Sequence, residues 1–327
     1  MPVQTLYSVR GALEATRGTP VTPTRFLYAQ TFTPHQAIAT IRPRELRNSF
    51  EPAYRGYAGI ERNTIECGGD FQFDQQAFWM SMAIKGGLTG TGGAADKSWA
   101  FTPSVATDDL KAASLQYGYA DGISATQPAW ELDYSMIDEY KLTWVKGEDL
   151  MWSARIVSPE GATQISAFTG ALSDTTQITA LGKDTQVFID STTIGTTADA
   201  NIAEAEWTLT NGLVLRDTLN NTNVAAALDR PQPRLWTLTL KRFYINDTER
   251  DLYVSKTLRK IRIRTVGPAL GGTTYKLDLD LYGKIDNIDD DEIEGVGAET
   301  ITVLPEYDAT ATASFAAVLV NSLAAIT

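Results

Sequence analysis

The sequence predicts a mainly β protein with two tandem β-sandwich or barrel domains, each with one flanking helix and long loop arms. Three observations support this prediction: several segments alternate apolar with polar residues, two isolated segments have helical character, and the two halves share one order of segments. Alternation with a period of two is typical of a strand that is buried on one face. A length of 327 residues fits two domains.

Four segments show the alternation most clearly. They are residues 129–135 (AWELDYS), 205–211 (AEWTLTN), 235–243 (LWTLTLKRF) and 275–283 (YKLDLDLYG). In the last of them Asp278 and Asp280 alternate with leucines, which indicates one buried and one polar face. In the uncharged tail, residues 309–327, Thr310 and Thr312 alternate with alanines, so we expect a strand there rather than a membrane span.

Two segments are predicted to be helical. In residues 73–87 (FDQQAFWMSMAIKGG), Asp74 is placed to cap the N-terminus and a glycine pair follows the end. In residues 246–261 (NDTERDLYVSKTLRKI), Asp247 is the matching cap. There the acidic residues come early and the basic ones, up to Lys260, come late, as the helix dipole prefers.

The two helical segments suggest an internal repeat. The sequence numbers of Asp74 and Asp247 give an offset of 173, at which both halves show a polar arm, a strand, a capped helix, a glycine turn and a strand with a tyrosine. We interpret this order as a diverged tandem duplication. The first domain is predicted to span residues 1–172 and the second residues 173–327.

Long polar segments separate the predicted strands, at residues 34–63 and 212–235. Loops of this length are uncommon in compact domains and usually carry a function. We expect the first of them to pair with acids in the run 286–294 of a neighbouring copy, and the turn-rich residues 10–28 to pack along a neighbour as well. The predicted contact residues of these arms are Arg10, Arg25, Arg42, Arg44, Arg47, Arg55 and Arg62.

Composition narrows the classes of function. Lys and Arg number 28 against 40 Asp and Glu, which gives a net charge of −12. A chain this acidic is not expected to bind nucleic acid over its whole surface, although it suits a passage through which DNA must slide. The single cysteine, Cys67, rules out an intramolecular disulfide. Since the N-terminus also lacks the apolar core of a signal peptide, we expect synthesis and folding in the cytoplasm.

The sequence gives little support for catalysis. His35 is the only histidine, which excludes metal sites with two histidines, and a nucleophile–base pair of Cys67 with His35 is a weaker interpretation than a structural role for each. Glu131 and Asp133 are spaced as glycosidase carboxylates can be, but alternating acids in a strand usually mark a polar face. The acidic run 286–295 is interpreted as a solvated turn. We predict no catalytic residue, metal or cofactor.

The N-terminal segment carries a specific resemblance. Residues 11–28 (GALEATRGTPVTPTRFLY) resemble the N-terminus of the major tail proteins, or tail tube proteins, of long-tailed (siphovirus-type) bacteriophages: a glycine, a polar run, a GT-P motif and PTRFL before the first strand. The matching residues are Gly11, Glu14, Gly18, Thr19, Pro20, Pro23, Thr24, Arg25, Phe26 and Leu27. Residues 65–87 and 307–321 resemble the family's strand, helix and glycine exit, and its final strand.

This resemblance implies a structural virion protein, not an enzyme, whose subunits close into rings that stack into a hollow tube for DNA. Single-domain members form rings of six, so a tandem duplication implies a homotrimeric ring with pseudo-sixfold symmetry. The implied partners are further copies of the chain, the tape-measure protein and DNA in the lumen, and the tail terminator and tail tip proteins. The implied location is the virion tail, after synthesis in the host cytoplasm.

A lumen for DNA should be acidic or neutral, because Lys and Arg would hold the phosphates. Its strands should alternate apolar with acidic or small polar residues. The candidate lumen acids are Glu131, Asp133, Glu204, Glu206, Asp278 and Asp280. Two other functions stay open: a β-rich carbohydrate- or protein-binding module, such as an adhesin, and, less favoured, a carboxylate-based hydrolase.

Overall fold

The computed structural model describes residues 7–41, 57–93, 95–104, 107, 109–119, 129–166, 168, 172, 175–219 and 224–326. The helices are α1 (Phe73–Ala83) and α2 (Thr248–Val254). The strands are β1 (Tyr7–Leu13), β2 (Arg25–Phe26), β3 (Thr31–Ile41), β4 (Tyr57–Asp70), β5 (Thr91–Gly92), β6 (Lys97–Phe101), β7 (Ala113–Tyr119), β8 (Ala129–Val145), β9 (Met151–Ser158), β10 (Thr163–Ile165), β11 (Thr185–Asp190), β12 (Ala198–Asp199), β13 (Ile202–Thr210), β14 (Val214–Arg216), β15 (Ala227–Asp229), β16 (Leu235–Phe243), β17 (Arg259–Leu270), β18 (Thr273–Ile293), β19 (Val296–Pro305) and β20 (Phe315–Asn321). The prediction of a mainly β protein is confirmed, and the strands pair antiparallel.

One sheet runs through both halves of the chain. Its eight strands lie in the order β3–β4–β9–β8–β13–β16–β19–β18, and we call it the eight-stranded sheet. Alternate residues on each strand enter the core, as in β13, where Trp207 and Leu209 are buried while Thr208 and Thr210 are half-exposed. The other side of the sheet, which we call the polar face, carries the half-exposed and exposed residues.

A second layer packs against the apolar side of this sheet. In the first half it consists of β2–β1–β7–β8–β10, and in the second half of β12–β11–β17–β18–β20–β6–β5. The two longest strands take part in both layers. Residues 129–135 of β8 pair with β7 and the following ones with β9, while β18 passes from β17 to β19 at Gly283. One hydrophobic core joins both halves.

Helix α1 lies inside this core. All of its residues are buried, and it contacts β6, β8, β18 and β20. The predicted helix is confirmed, but the predicted cap is wrong: Gln72 is the N-cap residue. The Asp74 carboxylate instead accepts hydrogen bonds from the backbone N–H of Ser322 at 3.0 Å and from its hydroxyl at 2.6 Å. Asp74 therefore ties the helix to the C-terminal segment.

Helix α2 is shorter than predicted. It ends at Val254, Lys256 has a φ of 50°, and Arg259 and Lys260 belong to β17. The sequence after the helix alternates basic with apolar residues, and this period of two outweighs the favourable helix dipole. Asp247 is the N-cap residue but makes no side-chain cap, since its carboxylate accepts the Tyr244 hydroxyl at 3.1 Å.

The two halves share the same order of strand pairings. The pairings β1–β7, β3–β4, β4–β9, β7–β8, β8–β9 and β8–β10 recur as β11–β17, β13–β16, β16–β19, β17–β18, β18–β19 and β18–β20. β4 ends at Asp70 and β16 at Phe243, which is the predicted offset of 173. After the helices the offset shrinks to 148, since β8 changes from β7 to β9 after Ser135 and β18 changes from β17 to β19 at Gly283.

The change of offset has a simple cause. The first half carries the β5–β6 hairpin after its helix, and α2 is followed by β17 almost at once. A single offset of 173 for the whole chain is therefore wrong. Because the eight-stranded sheet and the core also cross residue 172, the division into two domains stays a prediction.

The C-terminal tail contains a strand, but Thr310 and Thr312, whose alternation with alanines predicted it, lie in a turn. β20 pairs with β18 on one side and with β6 on the other. The strand begins at Phe315, after the alternating threonines, because Asp308 and Ala313 form an isolated bridge that closes a turn. Among the described residues, none of the helices has the length and apolar character that crossing a membrane requires.

Candidate functional site

The polar face of the eight-stranded sheet is rich in threonine and charge. Its threonine and serine residues include Thr64, Thr143, Ser153, Thr208, Thr210, Thr237, Thr239, Thr300 and Thr302. Its charged residues include Glu66, Glu139, Lys141, Arg155, Glu204, Glu206, Lys241, Asp289 and Asp291. Small hydroxyl side chains between interspersed charges of both signs give a smooth, hydrated surface.

One predicted pair of lumen acids lies on this face. Glu204 and Glu206 both project from β13 on the polar face. The ammonium group of Lys141 is 2.8 Å from the Glu206 carboxylate, and that of Lys241 is 4.0 Å from Glu204 and 3.5 Å from Asp291. These pairs are largely exposed, so each is worth only about 0–1 kcal/mol.

A second predicted pair lies in the other layer. Asp278 and Asp280 are on the part of β18 that pairs with β17. The Arg262 guanidinium donates to both oxygens of Asp280, at 2.5 and 2.6 Å, and Arg264 donates to Asp278 at 2.6 Å. Burial opposes ionisation of Asp278, but hydrogen bonds from Arg264 and Lys276 outweigh it and lower the pKa of this carboxyl. The charges of this pair are compensated within the chain.

The third predicted pair also lies in the second layer. Glu131 and Asp133 are on the part of β8 that pairs with β7, where the Gln116 amide donates to Glu131 at 2.7 Å. Burial raises the pKa of Asp133 and the nearby Glu131 adds to this rise, while a hydrogen bond with Ser114 opposes it. Of the three predicted pairs, only the one on β13 therefore belongs to the polar face.

The N-terminal motif folds onto its own chain. β1 pairs with β7 along its whole length and β2 pairs with β1, so both ends of the segment 10–28 are part of the second layer. Glu14, only 1% exposed, accepts hydrogen bonds from the backbone N–H groups of Gly18 and Tyr134, both at 2.7 Å, and from the Ser114 hydroxyl at 3.1 Å. The glutamate of the motif thus fixes its glycine turn against β8.

The three predicted arm arginines that the structure describes make contacts within the chain. Arg25 is 4% exposed and its guanidinium lies over the Phe78 ring, and the Arg10 guanidinium lies 4.1 Å from the Phe168 ring centroid. Arg62 lies on β4 and pairs with Asp217. Arg42, Arg44, Arg47 and Arg55 lie outside the described residues.

The described parts of the predicted arm of residues 34–63 are strands. Residues 34–41 belong to β3 and residues 57–63 to β4, and the two strands pair. Its counterpart, residues 212–235, holds the β14–β15 hairpin. For residues 34–41 and 57–63 the prediction of a loop is wrong, because polar strand segments lack the buried alternation that identifies a strand in sequence.

The strand pairing separates the two residues considered for nucleophilic chemistry. Cys67 is opposite Phe32 and is buried, and burial raises the pKa of its thiol. His35 is exposed and, three residues from Phe32, faces the other side of the sheet.

The acidic run also differs from its prediction, since residues 286–293 are strand β18 and only Glu294 and Gly295 form the turn. In the described part of the chain, no group of three or more His, Cys, Asp or Glu residues is arranged to hold a metal ion.

The eight-stranded sheet ends in two strand edges that pair with nothing in the described part of the chain. β3 pairs with β4 alone, and residues 286–293 of β18 pair with β19 alone. In the middle of the sheet, by contrast, residues 139–145 of β8 pair with β13 of the second half. Unpaired edges are templates for adding another strand. Sequence reasoning missed them because pairing partners leave no mark in a local pattern.

Exposed apolar side chains concentrate near these two ends. Those near the β3 end are Ile38, Tyr57 and Ile60, and those near the β18 end are Tyr244, Ile245, Val254 and Val296. The backbone N–H of Tyr244 donates to the carbonyl of Gly297 in β19, which places this group beside the β18–β19 hairpin. Exposed apolar residues that cluster mark surfaces for association.

Comparison with known protein families finds no family model that matches the chain, and no curated protein matches it either. Its function is therefore argued from the geometry and from the resemblance of the N-terminal motif.

Proposed function

We propose that the chain is a tail tube subunit of a long-tailed bacteriophage, a structural virion protein whose copies close into rings that stack into a hollow tube for DNA. The observation that carries this proposal is an antiparallel sheet built from two equivalent groups of four strands, whose two end strands each have an edge that pairs with none of the described residues. Eight strands from each of three chains, twenty-four in all, would close one barrel.

The internal repeat supports a ring of three chains. If the halves are tandem domains, residues 1–172 and 173–327, each supplies one sixth of the ring. Repetition of the rotation that relates the halves then generates the next chain, and a closed ring satisfies every edge. The proposed homotrimer has pseudo-sixfold symmetry.

The polar face suits the wall of a channel for DNA. Its threonines carry no charge, and its Lys residues lie beside Glu204, Glu206 and Asp291. Free Lys and Arg would bind phosphates and hold the DNA, whereas lysines beside carboxylates offer little net attraction. We therefore propose Glu204 and Glu206 as lumen acids. The tape-measure protein, the tail terminator and the tail tip proteins are the further proposed partners, in the virion tail.

Electron microscopy of concentrated protein tests this proposal. We expect rings or tubes with a central channel, and native mass spectrometry of dissociated rings should give the mass of three chains. A ring of six whole chains would contradict the argument from the repeat and leave the tube function standing. A protein that stays monomeric at every concentration and salt condition would overturn the proposal.

A further inference from the structure

We infer that copies of the chain join by antiparallel pairing of β3 of one copy with residues 286–293 of β18 of the next. The register places Thr33 opposite Asp291 and His35 opposite Asp289. This inference rests on the proposed function in one respect, that copies of the chain assemble. It adds which strands meet and how they are aligned.

The template for this pairing between copies is the junction between the two halves of one chain. There β8 of the first half pairs with β13 of the second half, and Glu206 lies opposite Thr143. The pairing order makes β3 the counterpart of β13, and β18 the counterpart of β8. A repeat of the internal junction between chains must therefore bring β18 of one copy to β3 of the next, and these are the two unpaired edges.

The alignment of β3 with β13 follows from their neighbours. β4 and β16 correspond at the offset of 173, which makes Ile65 equivalent to Leu238. Ile65 lies opposite Pro34 and Leu238 lies opposite Trp207. β3 therefore corresponds to β13 at the same offset of 173, since 34 and 207 differ by that number.

The alignment of β18 with β8 follows from a shared irregularity. Along β8 the pairing with β9 skips Asp138, and along β18 the pairing with β19 skips Asp286. Both are the extra residue of a β-bulge, and bulges are specific features of a fold. Positions 138 and 286 give an offset of 148, at which Thr143 corresponds to Asp291. The internal pair of Glu206 with Thr143 thus becomes Thr33 with Asp291.

The size of two cavities agrees with this assignment. At the internal junction a cavity of about 230 Å³ is walled by Trp144 and Val145 of β8 on one side and by β11 and β13 on the other. Beside β3, a cavity of about 550 Å³ is lined by Val9 of β1 and Phe32 of β3, without a wall equivalent to β8. The end of β18 from the next copy, with Ile293, would supply that wall.

The difference in burial between the two helices also agrees with this assignment. α1 is wholly buried, since β18 and β20 of the second half contact it in addition to β6 and β8 of its own half. α2 contacts β18 of its own half, and Val254 is 79% exposed. If the junction repeats between copies, β8 and β10 of the next copy cover α2. The exposed apolar residues at this end then become buried.

The charges of the two edges also fit. The unpaired edge of β18 carries Asp286, Asp289, Asp290, Asp291 and Glu292. β3 contains no acidic residue, so it can lie beside this edge without like charges directly opposite each other. Two β18 edges would repel each other, which disfavours a symmetric contact between copies.

Four double-cysteine variants test the register. The matched variants are Thr33→Cys with Asp291→Cys, and His35→Cys with Asp289→Cys. The exchanged variants are Thr33→Cys with Asp289→Cys, and His35→Cys with Asp291→Cys. Assembled protein is oxidised with copper phenanthroline and run on a non-reducing gel. Every sample also contains the native Cys67, which is buried. The protein with this cysteine alone gives the background level of cross-linking.

We expect the matched variants to form covalent dimers and closed trimers, and the exchanged variants to stay at background. Opposite residues have Cβ atoms about 5 Å apart, whereas a shift of two residues leaves the pair roughly 7–8 Å apart, too far for a disulfide without movement of the backbone. A bond within one chain is excluded, because β3 and β18 are the first and last strands of the sheet, on the order of 30 Å apart.

The outcomes separate this inference from the proposed function. Cross-linking of the exchanged variants and not of the matched ones would overturn the register. No cross-linking in any variant, with rings visible in the microscope, would overturn the strand pairing and leave the tube function intact. Absence of both rings and cross-links would overturn both.

Discussion

Asp138 and Asp286 occupy the same bulge in the two halves of the chain but have opposite environments. The Asp138 carboxylate accepts the backbone N–H of Leu213 at 2.8 Å and pairs with Arg155, and its carbonyl accepts the N–H of Asn211 at 2.7 Å. Asp138 is buried, whereas Asp286 is exposed at the end of the sheet. The same side chain therefore seals a junction within the chain at one site and faces solvent at the other.

This difference predicts opposite effects of one substitution. Asp138→Ala should lower the free energy of unfolding by about 1–3 kcal/mol, since it leaves the Leu213 N–H without its acceptor. Asp286→Ala should change it by less than about 0.5 kcal/mol, as an exposed site does. Asp286→Ala should instead weaken the assembly of copies of the chain. Urea denaturation and sedimentation velocity measure the two effects. Unchanged assembly of the Asp286→Ala variant would argue against the inferred contact.

Glu14 is predicted to stabilise the bend in β8. It accepts the backbone N–H of Tyr134, a residue with a φ of 51° at the point where β8 leaves the second layer. Glu14→Gln keeps the shape of the side chain but turns an amide NH₂ group toward one of the three groups that donate hydrogen bonds to the Glu14 carboxylate. We expect a loss of about 1–3 kcal/mol in urea denaturation. Glu160→Gln, at an exposed site, is the control.

The stability cost of Glu14→Gln is also predicted to depend on pH. Burial raises the pKa of Glu14 above 4.5, and hydrogen bonds from Tyr134, Gly18 and Ser114 only partly oppose it. The folded state therefore holds this proton more tightly than the unfolded state, so the stability linked to Glu14 falls as the pH rises from 4.5 through the raised pKa. The Gln variant lacks this contribution. The cost of Glu14→Gln should shrink as the pH rises, and a cost that grows instead would contradict the raised pKa.

Local pattern predicted the strands that are buried on one face. Residues 235–243 were expected as a strand and form β16 with the same bounds, because Trp236, Leu238 and Leu240 alternate with polar residues. Helix α1 was also predicted, although its role was not. No sequence pattern shows that a helix will be covered by strands from the far end of the chain, as β18 and β20 cover α1.

Other features depend on tertiary contacts that a local pattern cannot contain. Asp74 has the position of a helix cap but bonds to Ser322, and Asp278 looks solvent-facing but pairs with Arg264 on the next strand. The edges of β3 and β18 lie in segments for which the sequence predicts an arm and an acidic turn, because exposure on both faces removes the alternation. The bulge at Asp286 became visible only through the pairing register.

Val254 is predicted to contribute to assembly and not to folding. It is 79% exposed on α2, near the unpaired end of the sheet. Val254→Asp should leave thermal unfolding of the monomer nearly unchanged and should raise the concentration needed for assembly tenfold or more, because burial of an unpaired charge costs several kcal/mol. Tyr307→Asp, at another exposed site, is the matched control. Equal loss of assembly in both variants would remove α2 from the interface.

The last prediction concerns the channel. If the polar face lines the lumen, Glu204 and Glu206 help to keep DNA from adhering, and their replacement by Lys reverses two charges per chain beside Lys141 and Lys241. Assembly should persist, because these side chains are half-exposed or exposed and their present ion pairs are weak.

DNA retained by assembled tubes should then increase most at low salt. Each additional phosphate contact adds about 0.9 to the slope of log affinity against log salt. A control with the same change of charge is Glu148→Lys with Asp184→Lys, two exposed acids outside the eight-stranded sheet. A short fluorescent duplex, followed by sedimentation with the tubes between low and high salt, measures retention. The added lysines of the β13 variant would line the lumen, whereas those of the control would not. The β13 variant should therefore retain the DNA that enters the tube, and the control should not. Equal retention by both variants, or by neither at any salt concentration, would mean that the polar face does not face DNA.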